Sequence, residues 1–306
     1  MEMREQAAKE LRCFMTRTGL DLHQIAEQTG FSHHTLRQFI SAGRYGDGNG
    51  ELTAKALREF MRAHPCQPPD PPGHLYETAA TRQMDDLINY CRKGRWATLY
   101  GPAGAQKSFL LEYRAAEAAR EAEPDLFWIP VPGRMTPTAI LRRISMALVA
   151  PYAQSSDGLR QSIIYTLKAR RSPVVLAFDE MDLLHRDIDT LETVRRLGDL
   201  LRGKLGMIVA GNEQIVSLFK PRQGRYFEQW RSRIEQRELR VLGPTRDEAR
   251  SMLNAELSGG TPAQVEGTLD DCTVIDPVSK KKYINARRMF FAIDNIRERR
   301  EKRKLN

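Results

Sequence analysis

The sequence lacks a long apolar run, closely spaced cysteines and a metal-binding arrangement of histidines. No stretch of the 306 residues is apolar over the length of a bilayer span, and residues 1–6 are charged and unlike a signal peptide. The four cysteines lie far apart with no C-x-x-C pair, which suits reduced thiols and excludes a disulfide framework or a cysteine-based zinc site. We therefore expect a cytoplasmic protein without a membrane partner.

Positive charge is in excess, and it is concentrated near one end of the chain. The formal net charge is +9, and residues 280–306 hold eleven Lys or Arg against three Asp or Glu, a net of +8. A block of that sign suits contact with the phosphate backbone of a nucleic acid. A solvated helix face has the same composition and is the alternative.

Residues 1–64 are predicted to form a small all-α domain. Gly30 is placed to end one helix, and Ser32 is a good N-cap for the next, at about residues 33–41. This is the layout of a helix-turn-helix, whose second helix exposes side chains that can reach base edges or phosphates. A generic helical bundle is the alternative. The candidate DNA-binding residues are His33, His34, Arg37 and Gln38.

The rest of the chain is predicted to be an α/β domain with a smaller helical part behind it. A proline-rich stretch at residues 64–73 cannot be helix or central strand, so we take residues 65–80 as a linker. Beyond it, helical patterns alternate with β-prone runs, which predicts a parallel sheet flanked by helices over residues 81–243. Residues 244–306 are predicted to be helical with a basic C-terminal tail, apart from a short hairpin at residues 273–284. The predicted strands are residues 96–100, 126–131, 174–178 and 206–210.

A glycine-containing turn follows the first predicted strand and precedes a helical pattern at residues 109–120. This strand–loop–helix context is that of a phosphate-binding P-loop, in which loop N–H groups and the helix N-terminus surround a phosphate. The usual pattern has glycine where Gln106 stands, and a non-glycine residue there costs on the order of 1 kcal/mol. An ordinary strand-to-helix turn is the alternative. The candidate phosphate-binding residues are Gly101, Pro102, Ala103, Gly104, Ala105, Gln106, Lys107 and Ser108.

Polar residues also follow two later predicted strands. Asp179 and Glu180 come directly after the apolar run 174–178, and Asn212 follows the strand at residues 206–210. Ligands of parallel sheets bind at the carboxyl ends of the strands, so these residues are expected to meet the P-loop. A carboxylate there can hold Mg²⁺ through water, and its neighbour can polarise an attacking water. A pair of surface acids and a strand-end cap are the alternatives.

Together these motifs resemble those of AAA+ ATPases, and more closely those of the transposition ATPases related to the phage Mu B protein. Residues 101–108 resemble Walker A, 174–180 Walker B, 207–212 sensor 1, 227–234 the arginine-finger segment and 284–288 sensor 2. The resemblance spans nearly the whole chain. It implies an AAA+ P-loop core at residues 81–243, a helical lid at 244–306 and the helix-turn-helix domain at 1–64.

The resemblance implies a role for each core residue. Lys107 would neutralise the outer phosphates of ATP, and Ser108 and Asp179 would hold Mg²⁺. Glu180 would activate the catalytic water, and Asn212 would orient it.

The resemblance also implies roles for arginines outside the core motifs. Arg233, or else Arg231, would reach the γ-phosphate held by a neighbouring subunit, with DNA binding as the alternative for both. Arg287 would face the nucleotide as sensor 2, although Ile284 stands where glycine is usual.

The expected function is ATP-dependent, largely non-specific binding to double-stranded DNA. The resemblance implies assembly with itself into a ring or helical filament and delivery of target DNA to a transposase, with hydrolysis releasing the DNA. Gln106 is expected to slow hydrolysis. Two alternatives stay open: a nucleotide-gated DNA-binding scaffold with little hydrolysis, and a helix-turn-helix regulator that uses the second domain as a switch.

Overall fold

The computed structural model has three groups of elements along the chain. They are an N-terminal set of helices, a central α/β unit and a C-terminal set of helices with a two-stranded hairpin. Among the helices it describes, none is long and apolar enough to cross a membrane. The structure describes residues 7, 8, 10–12, 14, 15, 18, 20–42, 50–63, 71–121, 123–150, 153, 155–218, 228–234, 237–258 and 260–305.

The N-terminal unit contains the predicted pair of helices with the predicted boundary between them. Gly30 has a left-handed φ of 72° and ends the first helix, because glycine adopts that backbone without steric cost. The Ser32 hydroxyl accepts the Thr35 N–H at 3.0 Å and so caps the second. The unit has its own apolar core, which includes Leu11, Ile25 and Leu36. Its helices with described bounds are α1 (Leu22–Thr29), α2 (His33–Ala42) and α3 (Gly50–Ala63).

Five parallel strands form the central sheet, in the order β2-β3-β4-β1-β5. Four of them match the predicted strands closely. The fifth was not predicted, because its three residues, Glu-Leu-Arg, contain no apolar run. The strands are β1 (Trp96–Tyr100), β2 (Leu126–Pro130), β3 (Val174–Asp179), β4 (Leu205–Gly211) and β5 (Glu238–Arg240).

Helices cover the sheet on both faces. Successive residues of β3 point to opposite faces, so Leu176 and Phe178 lie in one apolar core while Val175 and Ala177 lie in the other. Burial on both faces explains the unbroken apolar run that predicted this strand. The surrounding helices are α4 (Ala79–Cys91), α5 (Lys107–Ala118), α6 (Pro137–Ala147), α7 (Ser156–Lys168), a 3₁₀ helix (Met181–Leu184), α8 (Ile188–Leu200), α9 (Gln214–Leu218) and α10 (Glu228–Ile234).

The C-terminal group forms a small lid with its own core. Met289 and Ile293 of the last helix are buried against Met252 and Leu269, as the predicted apolar stripe requires. The predicted hairpin is present, with its two strands antiparallel. The elements are α11 (Arg246–Glu256), α12 (Pro262–Cys272), β6 (Thr273–Ile275), β7 (Lys282–Ile284) and α13 (Ala286–Leu305).

Two parts of the sequence-based description change. The basic tail is not separate from the lid, because α13 continues to Leu305 and Arg300 donates to the Ser258 carbonyl at 3.1 Å, while Arg297 pairs with Glu256. The end of the predicted linker, residues 65–80, is helical rather than extended chain, since α4 already begins at Ala79. Residues 65–70 of that linker, and residue 227 of the predicted finger segment, lie outside the described residues.

Candidate nucleotide-binding site

The loop that connects β1 to α5 contains two glycines at which any Cβ would collide with neighbouring atoms. Gly101 has φ 150°, and a Cβ there would lie 2.0 Å from the Val241 carbonyl oxygen. Gly104 has φ 83°, and a Cβ there would lie 2.2 Å from Oδ1 of Asn285. The loop is therefore fixed between the sheet edge and the lid.

Gln106 adopts the left-handed backbone that the motif usually assigns to glycine. Its φ is 65° and its ψ 9°, at the position that precedes the first residue of α5. Within the described chain, its side chain forms no capping hydrogen bond to that helix. The first N–H groups of α5 are thus left to an external acceptor, which suits a phosphate. Strained backbone of this kind concentrates at functional sites.

Lys107 is held over the same loop as a cation. Its Nζ donates to the carbonyl oxygens of Gly101 at 2.8 Å and Pro102 at 3.0 Å. Burial lowers the pKa of Lys107, and the negative charges of Asp179 and Asp182 partly oppose that shift. An anion bound at the loop would stabilise the charged form, so the donor set fits the phosphates of a nucleotide.

The acidic pair stands at the carboxyl end of β3. Asp179 is buried, and its carboxylate accepts the indole N–H of Trp128 at 3.3 Å and the Glu180 N–H at 3.1 Å. Glu180 is exposed with φ 58°, a second strained non-glycine residue. Ser108 is also exposed at this cleft, so a hydroxyl and a carboxylate are available to a magnesium ion.

Asn212 follows β4 and reaches the same cleft. Its side-chain oxygen accepts the Gln214 N–H at 2.7 Å, so the strand-end cap considered as an alternative is present in this structure. Its own N–H donates to Asp182 Oδ1 at 3.2 Å. Asp182 is buried and was missed by sequence reasoning, although a carboxylate three residues after Asp179 was visible in the sequence.

The lid touches the P-loop directly. The Asn285 side-chain amide donates to the Ala103 carbonyl at 3.1 Å, and the Ala286 N–H donates to the Gly104 carbonyl at 3.1 Å. Asn285 also caps α13 by accepting the Arg288 N–H at 3.1 Å. This places Arg287, the second residue of the helix, at the edge of the cleft.

These residues line one cleft of about 830 Å³, within the range of roughly 300–1,000 Å³ usual for small-molecule sites. Gly101 and Pro102 lie behind it and present their carbonyls to Lys107. The lining also includes residues that were not predicted: two aromatic side chains, Phe109 and Phe290, and the linker residues Pro72 to His74. The predicted residues that line the cleft are Ala103, Gly104, Ala105, Gln106, Lys107, Ser108, Asp179, Glu180, Asn212 and Arg287.

Arg233 is not brought to this cleft. Its guanidinium pairs with Asp199 at 2.7 Å and lies 6.0 Å from the ring centre of Trp96, the first residue of β1. The P-loop follows the carboxyl end of β1, and a five-residue strand spans roughly 13 Å. Arg233 therefore lies at the amino end of the strands, opposite the P-loop. Arg231 is on the same short helix, α10.

The predicted DNA-binding residues all lie on α2 in the N-terminal unit. His33, His34 and Gln38 are exposed, and Arg37 is half-buried. His33 also stacks edge-on against His23, with ring centres 6.0 Å apart.

Comparison with known proteins identifies the fold of the central unit. Residues 91–219 match the family model described as an AAA domain. A search among curated proteins finds no match. The protein is similar to the solved ORC1 protein of Aeropyrum pernix in complex with DNA, with 19% identity, a TM-score of 0.51, and coverage of 75% of this chain and 62% of that one. It is also similar to Cdc6p from Pyrobaculum aerophilum, with 17% identity, a TM-score of 0.49, and coverage of 74% and 62%.

The chain has the AAA+ P-loop fold, with helical regions at both ends. It spans 62% of the length of each of those two structures. At these identities the likeness concerns the fold alone.

Proposed function

We propose that the protein is an ATP-dependent, largely non-specific DNA-binding ATPase that assembles on duplex DNA. One observation carries the nucleotide part of this proposal: four motifs far apart in sequence meet in a single cleft around Lys107. A strained loop, a buried carboxylate and a helix N-terminus without a side-chain cap from Gln106 are together the chemistry that a triphosphate requires.

Within the cleft, each side chain has a distinct task in the proposal. ATP is the substrate, and Mg²⁺ supplies positive charge to its outer phosphates. Lys107 and the N-terminus of α5 bind the phosphates, while Ser108 and Asp179 hold the metal. Glu180 accepts a proton from the attacking water. The aromatic side chains that line the cleft, Phe109 and Phe290, suit contact with a purine base.

Completion of the site is proposed to need a second subunit. Arg233 lies at the far edge of the sheet from its own P-loop, so it can act only on a nucleotide held by a neighbour. Its ion pair with Asp199 would then be exchanged for contact with the γ-phosphate. A head-to-tail interface of this kind gives a ring if it closes and a helical filament if it does not.

DNA binding is proposed to rest on charge rather than on base readout. The excess positive charge lies in the lid, and α2 of the N-terminal unit exposes polar side chains suited to phosphates or base edges. We further propose, from the resemblance to Mu B-related ATPases, that the assembled protein delivers target DNA to a transposase and that hydrolysis releases it.

The test uses two measurements, each with and without ATP or a non-hydrolysable analogue. Electron microscopy shows assembly on duplex DNA, and labelled DNA reports binding and dissociation. Wild type is expected to form long assemblies on duplex DNA and to dissociate slowly only when ATP is bound. Lys107→Ala is expected to lose both effects, whereas Lys168→Ala, an exposed lysine at the far edge of the sheet, is the matched control. Equal assembly without any nucleotide would contradict the proposal.

A nucleotide-gated scaffold is the second candidate, favoured by the strained Gln106 in the P-loop. Comparing hydrolysis by wild type and Gln106→Gly separates the two, because strong DNA-stimulated hydrolysis by wild type would exclude the scaffold.

The helix-turn-helix regulator is the third candidate, supported by the capped α1–α2 pair. Footprinting separates it from the filament, since a regulator protects one site and a filament covers DNA broadly.

A further inference from the structure

The short hairpin of the lid, residues 273–284, carries exposed side chains that do not line the nucleotide cleft. Lys280, Lys281 and Lys282 follow one another and are all exposed. Within the described part of the chain, none of the three ammonium groups has a hydrogen-bond or ion-pair partner. Beside them, Val278 is 69% exposed and Ile275 58%. We call residues 273–284 the basic hairpin.

We propose that the basic hairpin binds backbone phosphates of duplex DNA and that Arg240 couples this binding to the nucleotide cleft. This inference rests on the proposed DNA-binding function and adds to it a contact site and a route of regulation. Three adjacent unpaired lysines are complementary to a row of phosphates, and a two-stranded ribbon is narrow enough to enter a DNA groove.

The tip of the hairpin is rigid, which favours binding because little freedom is lost on contact. Asp276 is fully buried at its base, and its carboxylate accepts the Ser279 N–H at 2.6 Å as well as the Ser279 hydroxyl. The turn closes through the Lys280 N–H, which donates to the Asp276 carbonyl at 2.9 Å. Lys280 itself has a left-handed φ of 58°. The lysines are therefore presented by a fixed turn.

Arg240 joins this turn to the nucleotide cleft. Its guanidinium donates to both carboxylate oxygens of Asp276, at 2.6 and 2.8 Å. The same group donates to Glu213 Oε1 at 2.6 and 2.9 Å. Glu213 directly follows Asn212, which lines the cleft. A shift of the hairpin on DNA is thus transmitted through one arginine to the segment that holds the predicted sensor.

The electrostatic setting supports the same route. Burial lowers the pKa of Lys107, and the charge of Glu213 is among those that oppose this shift. Any movement of Glu213 changes the field at the residue that binds phosphate. Because binding linkage is reciprocal, DNA then changes nucleotide affinity by the same factor as nucleotide changes DNA affinity.

The DNA contact is tested by measuring DNA affinity against salt for the triple variant Lys280→Ala/Lys281→Ala/Lys282→Ala. The slope of log affinity against log salt is expected to fall by about 2.7, at about 0.9 for each lost phosphate contact. The double variant Lys281→Ala/Lys282→Ala leaves the strained Lys280 in place and should lose about 1.8.

The matched control is Lys93→Ala/Lys168→Ala/Arg202→Ala, which removes three exposed positive charges at the amino ends of the strands. Its salt slope should equal that of wild type. If the hairpin variants lose no more than this control, the hairpin is not a DNA contact.

The coupling is tested with a fluorescent ATP analogue, with and without duplex DNA. In wild type, DNA is expected to raise nucleotide affinity by at least about fivefold, a typical coupling. Arg240→Gln should abolish this increase. Glu213→Gln weakens only the cleft side of the link and leaves the Arg240–Asp276 pair, so it should reduce the increase without removing hairpin binding to DNA. Unchanged coupling in both variants would overturn the route.

Failure of this inference is distinguishable from failure of the proposed function. If wild type binds DNA in an ATP-dependent way and the hairpin variants bind equally, only the inference fails. If wild type binds neither DNA nor ATP, the proposed function fails first.

Discussion

At the scale of single residues, the strain at Gln106 gives a measurable prediction. Gln106→Gly should relieve about 1 kcal/mol of left-handed strain, offset by about 0.5 kcal/mol from the larger freedom of glycine in the unfolded chain. Urea denaturation without nucleotide is therefore expected to show a net gain of about 0.5 kcal/mol. A loss of stability would mean that the Gln106 side chain makes favourable contacts that outweigh the strain.

Lys107 predicts opposite pH dependences for stability and for nucleotide binding. Burial lowers its pKa below the ordinary 10.5, so between those two values the unfolded chain binds more protons than the folded one. The contribution of Lys107 to stability without nucleotide should thus rise with pH across that alkaline window, whereas the contribution of Cys91, whose pKa burial raises to about 12, falls. ATP affinity should fall across it, because the ammonium group loses its charge.

Lys107→Arg is the matched control, since a guanidinium stays charged throughout that window. The other titrating groups are common to both proteins, so wild type should show a more positive stability slope and a more negative ATP-affinity slope than Lys107→Arg, as measured by thermal unfolding and by nucleotide titration. An unchanged slope in Lys107→Arg would assign it to another group.

Single residues also show how far the site was predictable. Lys107 and Asp179, which both line the cleft, could be predicted because their motifs combine a residue type with a strand before it. Asp182 was missed, because what marks it is its burial under Asn212, and burial depends on the fold of a distant segment. Asn212 lines the cleft, yet its side-chain oxygen accepts the N–H of nearby Gln214, which does not by itself indicate a sensor.

At the scale of elements, the seating of the lid on the core rests on close backbone contact at Gly243. A Cβ there would lie 2.0 Å from the Ile284 carbonyl oxygen, and the neighbouring Pro244 carbonyl accepts the Ile284 N–H at 2.8 Å. Gly243→Ala should therefore displace β7 and loosen the lid, which hydrogen exchange of residues 246–305 would report as faster. The central sheet should keep its protection.

Gly267→Ala is the control for that variant. Gly267 lies within α12, and a Cβ there meets nothing within 4 Å, so the change should stabilise the helix by about 1 kcal/mol. Equal effects of the two substitutions would show that the contact at Gly243 does not hold the lid.

Elements differ in how well sequence predicted them, for physical reasons. The strand Val174–Asp179 is buried along its whole length, and an unbroken apolar run before a polar residue is typical of a strand inside a parallel sheet. Strand β5 has three residues of mixed polarity and is defined by pairing with β1, which no local pattern records. Residues 71–78 have a loop-like composition, but only the folded chain shows that three of them line the cleft.

At the scale of the whole molecule, the residues of the proposed site lie at the two opposite ends of the parallel strands. The phosphate-binding residues follow the carboxyl ends of the strands, while Arg233 lies beside the amino end of β1. In the proposed function, one chain therefore presents Arg233 at one end of the strands and a nucleotide cleft at the other. Such a distribution is what a repeating head-to-tail assembly needs, because each junction then unites one of each.

This division makes a mixing experiment decisive. Glu180→Gln and Arg233→Ala should each be inactive alone, since each leaves every junction without one essential group. Glu180→Gln keeps Lys107, so it is expected to bind ATP and to assemble. When the two are mixed in equal amounts before ATP and DNA are added, about a quarter of junctions combine an intact Glu180 with a neighbour's intact Arg233. Hydrolysis should recover to about that fraction of the wild-type rate. In the control mixture, Glu180→Gln with Asn212→Ala, both lesions fall on residues supplied by the same chain, so no junction is repaired. Recovery in both mixtures, or in neither, would refute the shared site, and repeating the first with Arg231→Ala decides which arginine is the donor.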